Sequence, residues 1–544
     1  MKKIAKFLIV LGMMGQLSSC DYLDIVPDER AQESDTWKTE GAVRGYLYSC
    51  YGYLPANRTF GNSYWLAEEL TAVTKELFTT FKYGYYSPVS LGFTSNTWST
   101  IWNGIHQCYM FQESLKQVSN EYVTDEMKKQ YLAESNFLIA YYHFLSMRSY
   151  GPTMIIRSVI DLETPISGFP ERSSIDEVVA FINEKLDEAM SEGGLPTTWS
   201  GKDYGRATRL AALALKSRVY LYAASPLYNG NTEMYADFRS PLDGRQLIAQ
   251  EKSQAKWEIS ATQTKYAIDE VEKAKFHLYH DADAGEPSDA KPGLPNKAQR
   301  RLRYTNIDNQ TGNNPEIIWA DTRNDDYYGI QRRCPPRQTL GGKFAGISMT
   351  NCPTLQTIEA FYTKNGLPIN KDKTFDYDER YEYISAPENC DGNNYEDLVK
   401  YANFTPSSDK VMRLCTDREP RFYAWTTYHN GYFEFGKYNN EEISADPAKR
   451  AIRIHLLRDD PHGRGNRTDQ EYSISGFGNK KGVVPSAEWN VIEYPFPLFR
   501  LAELYLNYAE ALVELDRLSE AKVYLDKVRE RAGIPSVDEA WDKY

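Results

Sequence analysis

Basic residues are in deficit in this chain: 63 Lys and Arg stand against 75 Asp and Glu, giving a formal charge of −12 over 544 residues. Phosphate binding needs a basic stripe, and the cations here are scattered among more numerous carboxylates. No nucleic acid partner is therefore expected, and polyanions are disfavoured in general. No CxxC occurs among the seven cysteines; zinc sites usually draw on close ligand pairs, so no metal site is expected. Histidine is scarce, at seven. His277 and His280, at i and i+3, could share a helix face but have no obvious acidic or cysteine partners to complete a metal shell. HExxH, GxSxG and Walker motifs are absent, and Gly476-Phe477-Gly478 lacks both a third glycine and a preceding strand, which makes it a turn. Carboxylate pairs abound, as in any acidic protein, so spacing singles out no glycosidase pair. Asp325-Asp326 offers oxygen ligands to calcium, but an exposed loop accounts for it as well. The sequence thus implies no enzyme, no catalytic residues and no cofactor. Beyond residue 14 there is no further long apolar run, and the mean hydropathy of −0.59 excludes a multispan helical membrane protein.

Aromatic residues are what the chain has in surplus. Its 41 Tyr, 22 Phe and 10 Trp make up 13% of a strongly polar sequence, so many rings must lie at or near the surface. Tyr and Trp combine a flat apolar face with a polar tip, which suits contact with carbohydrate, peptide or protein. One cluster runs through Tyr83, Tyr85 and Tyr86 to Phe93, Trp98 and Trp102. Another places Arg323, Asn324, Tyr327 and Tyr328 after Trp319. Sugar rings stack their C–H faces on Trp or Tyr while their hydroxyls bond to Arg, Asn and Asp. Trp102, four residues after Trp98 on a helical pattern, and Trp319, at the end of an apolar run, are expected to pack inside. The candidate ligand-binding residues are then Trp98, Tyr85, Tyr86, Arg323, Asn324, Tyr327 and Tyr328.

At the N-terminus Lys2, Lys3 and Lys6 precede a short apolar stretch, Phe7 to Met14, and then Leu17-Ser18-Ser19-Cys20. The stretch is too short to span a bilayer. The arrangement resembles a bacterial lipoprotein signal, which implies cleavage before Cys20 and lipid attachment, with palmitate among the acyl chains, to its thiol. Residues 20–36 are acidic and read as a tether. For the six other cysteines, disulfides and free buried thiols remain open alternatives.

From residue 37 the pattern turns helical. Ala42, Val43, Tyr46, Leu47 and Cys50 recur at i, i+3 and i+4 before Pro55. Similar periodicity predicts helices over 131–150, 175–190, 208–224, 256–274 and 499–532. Between residues 280 and 495, Pro, Gly, Asn and Tyr punctuate an irregular aromatic-rich region with short strand-like runs such as 316–320. The last helical stretch fits the tetratricopeptide template, with Tyr505, Ala509 and Leu512 on one helix and Ala521, Leu525 and Val528 on the next. A generic helical hairpin is the plain alternative. The fold class expected is mainly α: a tetratricopeptide-like helical-repeat scaffold with a large irregular loop-rich region and a few short strands. The divisions are a signal peptide at 1–19, a tether at 20–36, a helical region at 37–279, the irregular region at 280–495 and a helix pair at 496–544.

Several strings, in this order, carry a family resemblance. They are Cys20-Asp21-Tyr22-Leu23-Asp24 after the lipobox, GRATRLAALALKSRVYLYAASPLYNG at 205–230, NPEIIW at 314–319, DREPRFYA at 417–424, PLFRLAELYLNYAEAL at 497–512, and the VRERAGIP that follows. Spread through most of the chain, they resemble the SusD/RagB family, the nutrient-binding lipoproteins of Bacteroidetes outer membranes. The resemblance implies a lipid-anchored protein on the extracellular side of the outer membrane. Its helical scaffold would face a SusC-like TonB-dependent transporter, and its loop-rich half would hold glycan, or peptide in some members. A helical-repeat interaction protein, whose aromatics serve only its partner, and a peptide-binding uptake subunit are the alternatives. Family members usually continue past the AGIP-like stretch with a helical, Arg- and Glu-rich segment, so the end at Tyr544 is expected to be either divergent or that of a fragment.

Overall fold

Four of the long helices start at a Ser or Thr whose side chain caps a free backbone N–H, a contact worth about 1 kcal/mol. Thr39 caps α1 (Glu40–Tyr51), Thr124 caps α3 (Asp125–Tyr150), Ser174 with Glu177 forms a capping box on α4 (Ile175–Ala189), and Thr208 caps α5 (Arg209–Ala224). Between α1 and α3 lies α2 (Thr94–Leu115), and α6 (Gln254–Lys273), α7 (Leu501–Glu514) and α8 (Leu518–Arg531) complete the set. The computed structural model describes residues 37–56, 68–72, 87, 94–161, 163–280, 283, 297–308, 314–323, 329–336, 338–339, 342–343, 349–385, 410–434, 451–460, 462–465, 472–484 and 491–544. Among them no helix is long and apolar enough to cross a membrane.

Each of these eight helices packs on the next: α1 on α2, α2 on α3, and so on through α5 on α6. The series then continues across the irregular region, since α7 packs on α6 and α8 on α7. This neighbour-to-neighbour stacking is the logic of a helical solenoid. Helix α3 is its centre and is buried on all sides from Phe137 to Met147, as a helix enclosed by neighbours must be. Helix α5 is lined with small residues; Ala211, Ala212 and Ala214 are completely buried, and their short side chains let adjacent helices approach. In the C-terminal pair the template positions Tyr505, Ala509, Leu512, Ala521 and Val528 are buried, and Leu525 is half-buried against the core.

Two strands link the irregular region to this stack. β1 (Ile317–Asp321) pairs antiparallel with β2 (Phe496–Arg500), with register shifts around Phe499, and β2 runs directly into α7. The 316–320 run is therefore a strand, as its apolar pattern predicts. Trp319 is core: its ring meets Phe137 and Tyr141 edge-on at 5.0 and 5.2 Å, and its indole N–H donates to the Gly205 carbonyl at 2.9 Å. Gly205 has φ of +100°, and a Cβ there would lie 2.8 Å from the Thr322 side chain, so both conformation and space demand glycine. Just before β1, the fully buried Glu316 carboxylate takes hydrogen bonds from Arg500, Arg531 and the Tyr279 backbone N–H. Burial alone would raise its pKa, but the Arg531 and Arg500 guanidiniums outweigh it and hold the carboxyl below its ordinary range.

The irregular region has a smaller core of its own, built around Ile358, Val411, Leu414, Phe422 and Tyr428. Arg418 is buried there and donates to the carbonyls of Leu414, Ile358 and Phe361 at 2.7, 2.7 and 2.6 Å. Of the cysteines left open by the sequence, Cys50, Cys108, Cys334, Cys352 and Cys415 are free and buried. Cys20 and Cys390 lie outside the described residues.

The packing of α5 yields a direct test. Ala214→Arg forces a long charged side chain into a fully buried helix contact, at an expected cost of about 3 kcal/mol or more. The variant should lose several degrees of melting temperature or fail to fold. An unchanged melting curve would place that face in solvent.

Candidate functional site

The first turns of α2 bring Trp98 to the edge of the solenoid. It is half-buried, and its ring meets Tyr150, at the end of α3, edge-on at 4.9 Å and Trp102 at 5.3 Å between centroids. Trp102 packs on the main core and lies edge-on to His143 at 6.0 Å, so its inward placement matches its spacing in the sequence. His143 is fully buried, and burial pushes its pKa down to about 4, leaving a neutral ring. Its partners assign the tautomer: Nδ1–H donates to the Ile139 carbonyl at 2.7 Å, and Nε2 accepts the Ile156 N–H at 3.3 Å. Trp98 is thus the outermost ring of a row that runs inward to a neutral histidine. A ring braced in this way loses little freedom when it stacks on a ligand.

Arg323 is placed differently from its expected part as a sugar donor. Its Nε and Nη2 grip the Asp321 carboxylate at 2.9 and 2.7 Å, while Nη1 donates to the Leu54 carbonyl at 2.8 Å and Nη2 to that of Pro55 at 3.0 Å. The guanidinium therefore ties the end of β1 to the turn after α1. Its pKa is raised: burial alone would lower it, and the Asp321 carboxylate more than offsets that. No hydrogen bond or ring contact joins Arg323 to Trp98. Tyr85, Tyr86, Asn324, Tyr327 and Tyr328 lie outside the described residues, as does the lipid-attachment candidate Cys20.

Pro55, whose carbonyl Arg323 holds, lines a cleft of about 410 Å³ between α3, α5 and β2. Tyr141 and Arg148 from α3, Arg218 from α5 and Arg500 from β2 contribute to its walls, with Asn306 and Lys481 from the irregular region. The volume falls within the usual range of small-molecule sites. Pattern analysis missed this cleft because its residues come from six separate stretches that no local spacing connects. The adjacent cations Lys480 and Lys481 were the one local hint. Among the described residues no three His, Cys, Asp or Glu side chains gather to hold a metal ion.

The described residues thus form a stacked-helix scaffold with Trp98 at its edge and a cleft beside it. Residues 315–544 match the SusD family model, and residues 21–221 match a family described as "Starch-binding associating with outer membrane"; neither is a family of enzymes. The protein BT4246 is similar in fold, with a TM-score of 0.75 and 29% identity, over 92% of this chain and 83% of its own. A SusD-like protein (BF3747) from Bacteroides fragilis has a TM-score of 0.64 at 20% identity, covering 94% of this chain and 82% of its own. A SusD-like carbohydrate binding protein (BF0978) from the same species gives 0.58 at 17% identity, over 92% of this chain and 80% of its own. No curated protein matches. The chain belongs to the SusD/RagB family.

Proposed function

We propose that this protein is a cell-surface glycan-binding lipoprotein, which captures oligo- or polysaccharide and passes it to a SusC-like TonB-dependent transporter in the outer membrane. The observation that carries the reading is the family membership, which spans both ends of the chain and comes with a fold shared over 92% of it with BT4246. The description of the second family, and the name of BF0978 as a carbohydrate binding protein, favour glycan as ligand and the outer membrane as location. Attachment through Cys20 rests on the lipobox sequence, and the extracellular orientation on what the family resemblance implies.

Physically, the solenoid supplies a rigid frame and the rings at its edge supply stacking faces. In this reading Trp98 is the anchoring ring, and Tyr85, Tyr86, Asn324, Tyr327 and Tyr328 complete the platform. Arg323 acts through the turn it holds. Each stacked ring contributes modestly, so a polymer would gain most of its affinity from repeated contacts along its length.

Screening the full-length chain in detergent on a glycan array should give saccharide hits. Trp98→Ala should then weaken binding of the selected oligosaccharide by about 1–3 kcal/mol, the loss typical of a stacked aromatic, while the melting curve stays near that of the parent. Undiminished affinity in that variant would remove Trp98 from the site. An array with no saccharide hits, combined with binding of unmodified peptides, would favour the peptide-uptake alternative.

A further inference from the structure

The cleft between α3, α5 and β2 has a charge that the composition of the chain conceals. In a protein of net charge −12, four cations line it: Arg148, Arg218, Lys481 and Arg500. Two are already matched. Arg218 forms a two-point pair with Glu503, and Arg500 pairs with Glu316. The other two are not. Arg148 makes a cation–π contact with Phe144 at 5.9 Å, and Lys481 one with Trp425 at 4.8 Å, but among the described residues neither has an ion-pair partner. Asn306, which also lines the cleft, is only 7% exposed, and its amide nitrogen is buried with no hydrogen-bond partner among the described residues.

Unmatched cations that share a partly enclosed volume repel each other more strongly than they would in open water. Lys481 lies in the field of cations that are themselves paired: burial, followed by repulsion from Arg500, Arg421 and Arg531, lowers its pKa to about 8, and Glu69 opposes the shift only in part. An anion in the cleft would relieve the repulsion, and its second face would meet the rings of Tyr141, Tyr494 and Phe496. The chain as a whole is net negative, at −12, and repels long polyanions. The chemistry that fits is therefore one anionic group on an otherwise neutral ligand.

We propose that the cleft binds a single acidic sugar unit, carrying a carboxylate or a sulfate ester, with Arg148 and Lys481 holding the anion and Asn306 bonding to a hydroxyl. The anion specificity rests on the cleft alone; the sugar rests on the glycan-binding reading above. This narrows the earlier expectation from net charge. Polyanions are disfavoured by the whole surface, whereas a sparsely charged glycan finds a local cationic seat.

Calorimetric titration of the full-length chain in detergent tests this with four probes: glucuronosyl-xylobiose, monosulfated lactose, and their neutral parents xylobiose and lactose. At low salt and pH 7, at least one acidic probe should bind tenfold or more tighter than its parent, and the tighter of the two arms identifies carboxylate or sulfate. The preference should vanish in the R148Q/K481Q variant while its melting curve is retained. If that variant does not fold, K481R decides the case. Lys481 loses its proton as pH rises through about 8, so affinity of the parent chain for the acidic probe should fall severalfold between pH 7 and 9.5, whereas K481R should hold it constant. Equal binding of acidic and neutral probes would overturn the cleft proposal and leave glycan binding intact. Failure of all four probes would overturn the cleft proposal, while the glycan-array screen decides the glycan-binding reading independently.

Discussion

The buried carboxylate of Glu316 joins parts of the chain that are far apart in sequence. It accepts from the Tyr279 N–H just after α6, from Arg500 at the end of β2 and from Arg531 at the end of α8, while its own carbonyl takes the Leu501 N–H that starts α7. The described residues between α6 and α7 are an excursion from the helical stack, and this clasp holds its two ends together. Placing a carboxylate there carries a desolvation penalty, which two guanidiniums and a backbone donor offset. Removing one partner of such a group typically costs about 3–5 kcal/mol because the charge left behind is still buried. Since the folded pKa of Glu316 is depressed, its contribution is complete above the ordinary carboxylate range and fades as pH falls through the folded value.

The clasp also explains what the family strings are for. NPEIIW supplies Glu316 and Trp319, the latter bonded to Gly205 of the 205–230 string. PLFRLAELYLNYAEAL supplies Arg500 as well as Glu503, which pairs with Arg218. VRERAGIP supplies Arg531, and also Arg529, which donates to the Gly366 carbonyl at 2.8 Å. DREPRFYA supplies Arg418 at the heart of the second core. These residues are packing and pairing hubs that hold the scaffold together, and Arg218, Arg500 and Glu503 also line the cleft. A resemblance carried by such strings therefore speaks firmly about fold and only indirectly about ligand.

Helices with a clear apolar face and a capping Ser or Thr were legible from sequence almost to the residue: the 175–190 expectation became Ile175–Ala189, and 208–224 became Arg209–Ala224. The 499–532 stretch resolved into two helices because Leu515 to Arg517 breaks the run, with Asp516 at φ of +58°. Helix α2 was glimpsed only through the spacing of Trp98 and Trp102; its Ser-, Thr- and Asn-rich start hides the period. Trp98 was identifiable as a bulky ring near a helix start, but the role of Arg323 was not. An arginine that grips an aspartate two residues back and the carbonyls of a turn 268 residues away looks, in sequence, like any loop arginine. The cleft was least legible of all, since net charge averages over the whole surface and its cations come from separate elements.

The central structural claim is that the stack runs without interruption from α6 to α7 and that Glu316 holds the join. Native-state hydrogen exchange on the parent chain and on Glu316→Gln tests it most directly. The account predicts that α6, β1, α7 and α8 open as one unit in the parent, and that all four lose protection together in the variant while α1 to α4 keep theirs. Independent opening of α7 and α8 from α6 in the parent, or a loss confined to the strands in the variant, would contradict it.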